Sequence, residues 1–160
     1  MKRPSNTDLD SPESKVLRKW LMLVYRVPRE PTSCRVYVWR KLKQLGAVSL
    51  QDALWVLPAT ARTQEHFQWL AAEIAEMEGE ATVWQAELVL GGQEQDLPRQ
   101  FGEQVDAIYR EVQVGLKRKR PDLAALARRY QQAEAQDYFQ SKLGKRVRAA
   151  LLAARGDAPT

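Results

Sequence analysis

Cysteine and histidine are almost absent: Cys34 and His66 are the single representatives of their kinds in 160 residues. One cysteine closes no internal disulfide and supplies no thiolate metal site by itself, which fits a reducing compartment. A lone histidine with no Cys or second His at ligand spacing excludes the usual zinc arrangements, and no glycine loop is present to cradle a phosphate. Long apolar runs are missing too. Trp20–Tyr25 and Leu54–Leu57 fall far short of the roughly 20 residues a membrane span needs. The N-terminus, Met1-Lys2-Arg3-Pro4-Ser5-Asn6 with Asp8 and Asp10 behind it, has no apolar core of a secretory signal. These absences give the expectation of a cytoplasmic protein that is not an enzyme and carries no resident metal or cofactor. His66, one residue before an apolar Phe67 in an acidic stretch, reads as an ordinary helix histidine, and Cys34 beside Arg35 has no evident base or resolving partner.

Charge of one sign is also missing over long stretches. Between Thr63 and Pro98 there is no Lys or Arg, while Glu65, Glu73, Glu76, Glu78, Glu80, Glu87, Glu94 and Asp96 are acidic. From Arg99 to Arg155 thirteen basic residues face only Glu103, Asp106, Glu111, Asp122, Glu134 and Asp137. The net charge of +5 is therefore unevenly spread, so that one region attracts polyanions and another repels them.

With 44% apolar and 28% charged residues the chain has the composition of a protein with a packed core, and its length suits one domain with a helical extension. Residues 1–17 are polar, without period, and are expected to be a flexible N-terminus. Trp20–Tyr25, closed by Pro28 and Pro31, reads as a buried central strand. Pro31-Thr32-Ser33 then opens a helix whose Val38, Trp39, Leu42 and Leu45 share one face and which Gly46 stops. Ala47–Leu57, interrupted at Gln51-Asp52, reads as a hairpin or as one bent strand. Thr60 or Thr63 caps a second helix that buries Phe67, Leu70, Ala71, Ile74 and Met77, and Ala81–Leu90 reads as a last strand before Gly91-Gly92. The order β-α-β-β-α-β is the split βαβ, or ferredoxin-like, arrangement: an α+β fold with an antiparallel sheet and two helices, here over 18–92. Beyond it, Phe101, Val105, Ile108, Val112 and Leu116, then Leu123, Leu126, Ala127 and Tyr130, then Leu143, Val147 and Leu151 after a break near Gly144, mark three helices. They form a basic C-terminal helical extension over 93–155, expected to pack on the first domain, with 156–160 as a flexible tail.

Three groups of cations are candidates for contact with anions. The run Lys117-Arg118-Lys119-Arg120, with Lys145 and Arg146 further on, can release counterions from a nucleic acid, although cations at a helix C-terminus also suit the helix dipole. Arg40, Lys41 and Lys43 lie on the polar side of the first helix, where they can track a DNA backbone or can simply be a solvated face. Arg26, Arg29 and Arg35 gather around the start of that helix, where free N–H groups and guanidinium forks suit an oxyanion such as chromate or sulfate. Of the five tryptophans, at least three are expected in the core rather than as base-stacking platforms.

The stretch Trp20-Leu21-Met22-Leu23-Val24-Tyr25 through Pro28 and Pro31-Thr32-Ser33, then Arg35-Val36-Tyr37-Val38-Trp39-Arg40-Lys41-Leu42-Lys43-Gln44-Leu45-Gly46-Ala47, resembles the N-terminal domain of ChrB proteins. Asp52-Ala53-Leu54-Trp55-Val56-Leu57-Pro58, Phe67-Gln68-Trp69-Leu70 and Ala135-Gln136-Asp137-Tyr138-Phe139 continue the resemblance. It implies a chromate-responsive transcriptional regulator of chromate resistance that acts on DNA, usually with a further C-terminal ChrB domain. A homodimer is expected here as the DNA-binding form, with such a domain as a partner on another chain. The domain is also similar to the C-terminal part of PaaX-type repressors and to small CRISPR adaptation nucleases. Those nucleases place an acidic metal ligand at the end of the first strand, where this chain has Tyr25-Arg26-Val27-Pro28, and a cation there repels a divalent ion. The alternative of another class is a protein-interaction or assembly module in which the acidic second helix pairs with the cationic tail of a second subunit, without nucleic-acid binding.

Overall fold

A computed structural model of the chain describes residues 19–156, so the expectations for 1–17 and for most of the 156–160 tail lie outside the described residues. The chain divides into two units, one made of described residues 19–43 and 47–94, the other of 44–46 and 95–156.

The first unit is built on a four-stranded sheet. β1 (Lys19–Arg26), β2 (Val48–Gln51), β3 (Leu54–Pro58) and β4 (Glu80–Glu87) lie in the order β2-β3-β1-β4, every neighbouring pair antiparallel. With α1 (Thr32–Gln44) after β1 and α2 (Ala61–Glu76) after β3, this is the ferredoxin-like α+β arrangement. β1 is central, and its apolar run is buried chiefly on the Leu21–Leu23 face, while on the other face Trp20 is buried, Met22 half-buried and Val24 exposed. Leu21 and Leu23 pair with Leu57 and Trp55 on one neighbour and with Gln85 and Val83 on the other, and all but the last two are buried. The interruption at Gln51-Asp52 resolves as a hairpin, with a register irregularity between Ser49 and Gln51.

α2 starts at a reciprocal cap. Thr63 N–H donates to Thr60 Oγ1 at 3.1 Å and Thr60 N–H to Thr63 Oγ1 at 2.9 Å, with threonine in the place where Glu or Gln usually closes the box. The buried Thr63 hydroxyl also donates to the Pro58 carbonyl, tying the helix start to the end of β3. Phe67, Leu70 and Ile74 fill the core side of α2, which packs along β1 and β4. Gly79 follows because an added Cβ would lie 2.5 Å from the Arg26 carbonyl.

Three expectations for this unit need correction. α1 buries only Val38 and Leu42, with Cys34 and Leu45 half-buried. Trp39, about 100° around the helix from Val38, falls outside that narrow stripe and is 51% exposed. Of the five tryptophans only Trp20 and Trp55 are core residues, whereas Trp69 and Trp84 are more than half exposed. The last strand ends at Glu87, and Leu88–Leu90 are exposed loop residues.

The second unit is a three-helix assembly of α3 (Asp96–Leu116), α4 (Leu123–Ala135) and α5 (Lys142–Ala154). Val105, Tyr109, Val112, Ala133, Val147 and Leu151 form its buried centre. Asp122 and Ser141 cap α4 and α5 through their side-chain oxygens. The break between the last two helices is at 136–141, not near Gly144. Gly144 sits inside α5 because the Tyr109 ring lies where its Cβ would be, 2.6 Å away.

Candidate nucleic-acid interface

α1 carries Arg35, Arg40, Lys41 and Lys43 and no acidic residue over its 13 residues. Arg40 and Lys43 are exposed and Lys41 is half-buried. Among the described residues none of these three forms an ion pair. Their partners are aromatic: Lys41 Nζ lies 5.6 Å from the Tyr37 ring centroid and Lys43 Nζ 5.7 Å from that of Trp39. The i,i+4 spacing puts each lysine one turn beyond its ring. The Glu73 carboxylate of α2, beside the Tyr37 hydroxyl, raises that phenol above its ordinary value.

In the second unit, helix directions decide which cations meet. Arg129 of α4 reaches back to Glu111 of α3 at 3.0 Å, and Leu126 lies against Gly115, so α4 runs antiparallel to α3. Ser141 Oγ donates to Asp106 Oδ1 and Gly144 lies against Tyr109, a matched advance that makes α5 parallel to α3. The exposed run Lys117, Arg118, Lys119 and Arg120 therefore caps the end of α3 toward which α5 carries Arg155. Lys145 and Arg146 sit at the other end, level with Tyr109, roughly 12 Å of helix rise before Lys117. The two basic groups expected in the tail are thus not one patch. Arg146 also lines a cavity of about 260 Å³ together with Asp106 and Asp137, so its surroundings are of mixed charge.

That cavity borders a polar network. Asp137 accepts from Tyr109 Oη at 2.9 Å and from the Ser141 N–H, and Ser141 passes its own hydroxyl proton toward Asp106. Burial first, and then the bond to Asp137, push the Tyr109 phenol far above its ordinary range. Tyr138 Oη donates to the Leu45 carbonyl at 2.5 Å and Gln136 Nε2 to that of Gln44 at 3.0 Å. The Gln136-Asp137-Tyr138-Phe139 element is in this way a structural clasp of the second unit, with Phe101 packed edge-on to Tyr138.

The three arginines considered for an oxyanion are not equivalent. Arg26 is paired with Glu80 at 3.0 Å, both side chains being mostly exposed. Arg29 is exposed in the loop before α1. Arg35, in the first turn of α1, lies near enough to Tyr25 to oppose the rise in its phenol pKa that burial causes. His66 is half-buried on α2 and Cys34 half-buried on α1.

The aromatic partners of the lysines escaped the sequence reading, because a helical wheel counts Trp39 with the apolar face. The signal available was the i,i+4 pairing of Tyr37 with Lys41 and of Trp39 with Lys43.

The family model described as Protein ChrB, N-terminal, matches residues 35–134, more than half of the chain. Trp20–Pro31 and Ala135–Phe139, which also carry the resemblance, lie outside that match. Among curated proteins, the protein ChrB of Cupriavidus metallidurans is 35% identical over 65 residues, which are 41% of this chain and 19% of that protein's length. No solved structure matches the chain.

Proposed function

The chain belongs to the ChrB N-terminal family, and from that premise we propose that it acts as a DNA-binding transcriptional regulator of chromate resistance, holding DNA through exposed cationic helix surfaces. The observation that carries this reading is the run Lys117–Arg120. Four exposed cations end α3, and among the described residues none is neutralised by a carboxylate. A run of this density costs self-repulsion unless a polyanion is bound, and phosphates supply one. Arg40, Lys41 and Lys43 form a second cationic surface on α1, in the first unit. The function as proposed is non-catalytic and cytoplasmic, with a homodimer as the acting form and chromate or a sulfate-like oxyanion as effector. No helix among the described residues is long and apolar enough to cross a membrane.

The test is fluorescence anisotropy on a labelled duplex from the region upstream of the protein's own coding sequence, against a scrambled duplex, at two salt concentrations and with or without chromate. Changing Lys117, Arg118, Lys119 and Arg120 together to Ala is expected to weaken binding and to lower the salt slope by up to about four units. An unchanged slope removes the run from the interface. Salt-sensitive self-association by light scattering with no affinity for either duplex would replace this reading with that of an assembly module.

A further inference from the structure

We infer that α1 is a base-stacking surface, and that through Trp39 this protein binds unpaired bases of single-stranded DNA. The inference rests on the nucleic-acid reading above and adds to it a residue, a chemical group and a strand preference.

From Pro31 to Gln51 the chain has no Asp or Glu, while Arg35, Arg40, Lys41 and Lys43 are basic. Only Val38 and Leu42 of α1 are buried, and three large apolar side chains stay outside: Val36 at 44%, Tyr37 at 38% and Trp39 at 51% exposure. At about 100° per residue, Trp39 and Tyr37 stand on opposite flanks of the buried stripe, and Arg40 points away from it. The solvent side of the helix therefore runs from Trp39 and Lys43, past Val36 and Arg40, to Gln44 and Tyr37.

Leaving an indole half in water forgoes much of the stabilisation its burial would give. An occupant of the Trp39 flank must be anionic, to suit Arg40 and Lys43 on a helix that has no carboxylate of its own, with Glu73 of α2 lying only at the opposite, Tyr37 flank. It must also offer flat apolar surface to the indole. Single-stranded DNA has both properties. In a duplex the base faces are hidden in the stack, whereas unpaired bases present them to an aromatic ring flanked by cations. Tyr37 is 38% exposed and has the Glu73 carboxylate of α2 beside it, which disfavours an anion there, so the more exposed Trp39 is the principal stacking group. Lys43, already over its ring, is within reach of the adjoining phosphate.

The experiment compares the full-length protein with its Trp39→Ala and Trp39→Phe forms on a fluorescein-labelled oligothymidylate and on a duplex of equal length. Trp39→Ala is expected to lose on the order of tenfold to a hundredfold affinity for oligothymidylate and much less for the duplex. Trp39→Phe should keep most of the affinity but lose part of the tryptophan quenching that binding causes in the parent. Because Trp39 is exposed, both variants should melt like the parent, which circular dichroism checks. Parent-like binding of oligothymidylate by Trp39→Ala, equal losses on both DNAs, or a parent protein that binds duplex but not oligothymidylate would each overturn the inference while leaving the regulator reading in place. A parent that binds neither DNA overturns both.

Discussion

Removing one buried hydroxyl, by Tyr109→Phe, tests how the second unit is held together. The ring stays, so its packing on Gly144 and its tilted contact with Tyr130 at 5.7 Å are kept. What goes is the 2.9 Å bond to Asp137 Oδ2. Bonds to an ionised acceptor are worth about 1.5–3 kcal/mol. Asp137 still accepts from the Ser141 N–H, so a loss of about 2 kcal/mol at neutral pH is expected. The alkaline side supplies a second, independent reading. In the folded protein the phenol is held neutral far above its ordinary pKa of 10.0, by burial first and then by Asp137. Above about pH 10 the unfolded chain releases that proton and the folded one keeps it, so the unfolded state binds fewer protons and stability falls as pH rises. The slope belonging to this one group is about 1.4 kcal/mol per pH unit. Phe has no such proton. The gap between parent and variant should accordingly narrow above pH 10 at about that rate. Urea unfolding followed by far-UV circular dichroism is the suitable assay, because all five tryptophans lie between Trp20 and Trp84, outside the second unit. A variant as stable as the parent at neutral pH, or a gap that stays constant above pH 10, would refute the reasoning.

Gly144→Ala should destabilise against the usual trend: alanine gains about 1 kcal/mol in a helix interior, but here its Cβ falls 2.6 Å from the Tyr109 ring, and a net loss of about 1–2 kcal/mol in a thermal melt is expected. Gly79→Ala puts a Cβ 2.5 Å from the Arg26 carbonyl and 2.9 Å from Ile74 Cγ2, so urea unfolding read by tryptophan fluorescence should show a loss of about 3 kcal/mol. Thr63→Val keeps the shape of the buried side chain but orphans the Pro58 carbonyl and opens the cap of α2, for an expected loss of about 1–3 kcal/mol by the same assay. Glu111→Gln, which breaks an exposed pair with Arg129, should change stability by less than about 1 kcal/mol and not alter the far-UV spectrum.

Local chemistry decided most of the architecture. The run Trp20–Tyr25 is apolar at every position and so belongs in the middle of a sheet, and the caps at Thr60, Asp122 and Ser141 and the turn at Gly46 punctuate helices through side-chain oxygens and backbone freedom that act within a few residues. The order β-α-β-β-α-β follows from such signals, and with it the ferredoxin-like sheet. The positions of the exposed cations of the candidate site were legible for the same reason, since a lysine or arginine without a buried partner stays in water wherever its helix goes.

What only tertiary structure decided depends on distance in space. A wheel assigns Trp39 to an apolar face, but how wide that face is depends on what packs against it, and α1 buries only Val38 and Leu42. Gly144 looks like a break in the chain until Tyr109, 35 residues earlier, is found to need the space. The separation of Lys145 and Arg146 from Lys117–Arg120 likewise follows from the parallel course of α5 along α3, fixed by Ser141 on Asp106. Periodicity in the sequence determined which residues share a helix face. Which faces are covered, and which charges end up side by side, was settled by contacts between residues far apart in the chain, because packing acts through space and not along the backbone.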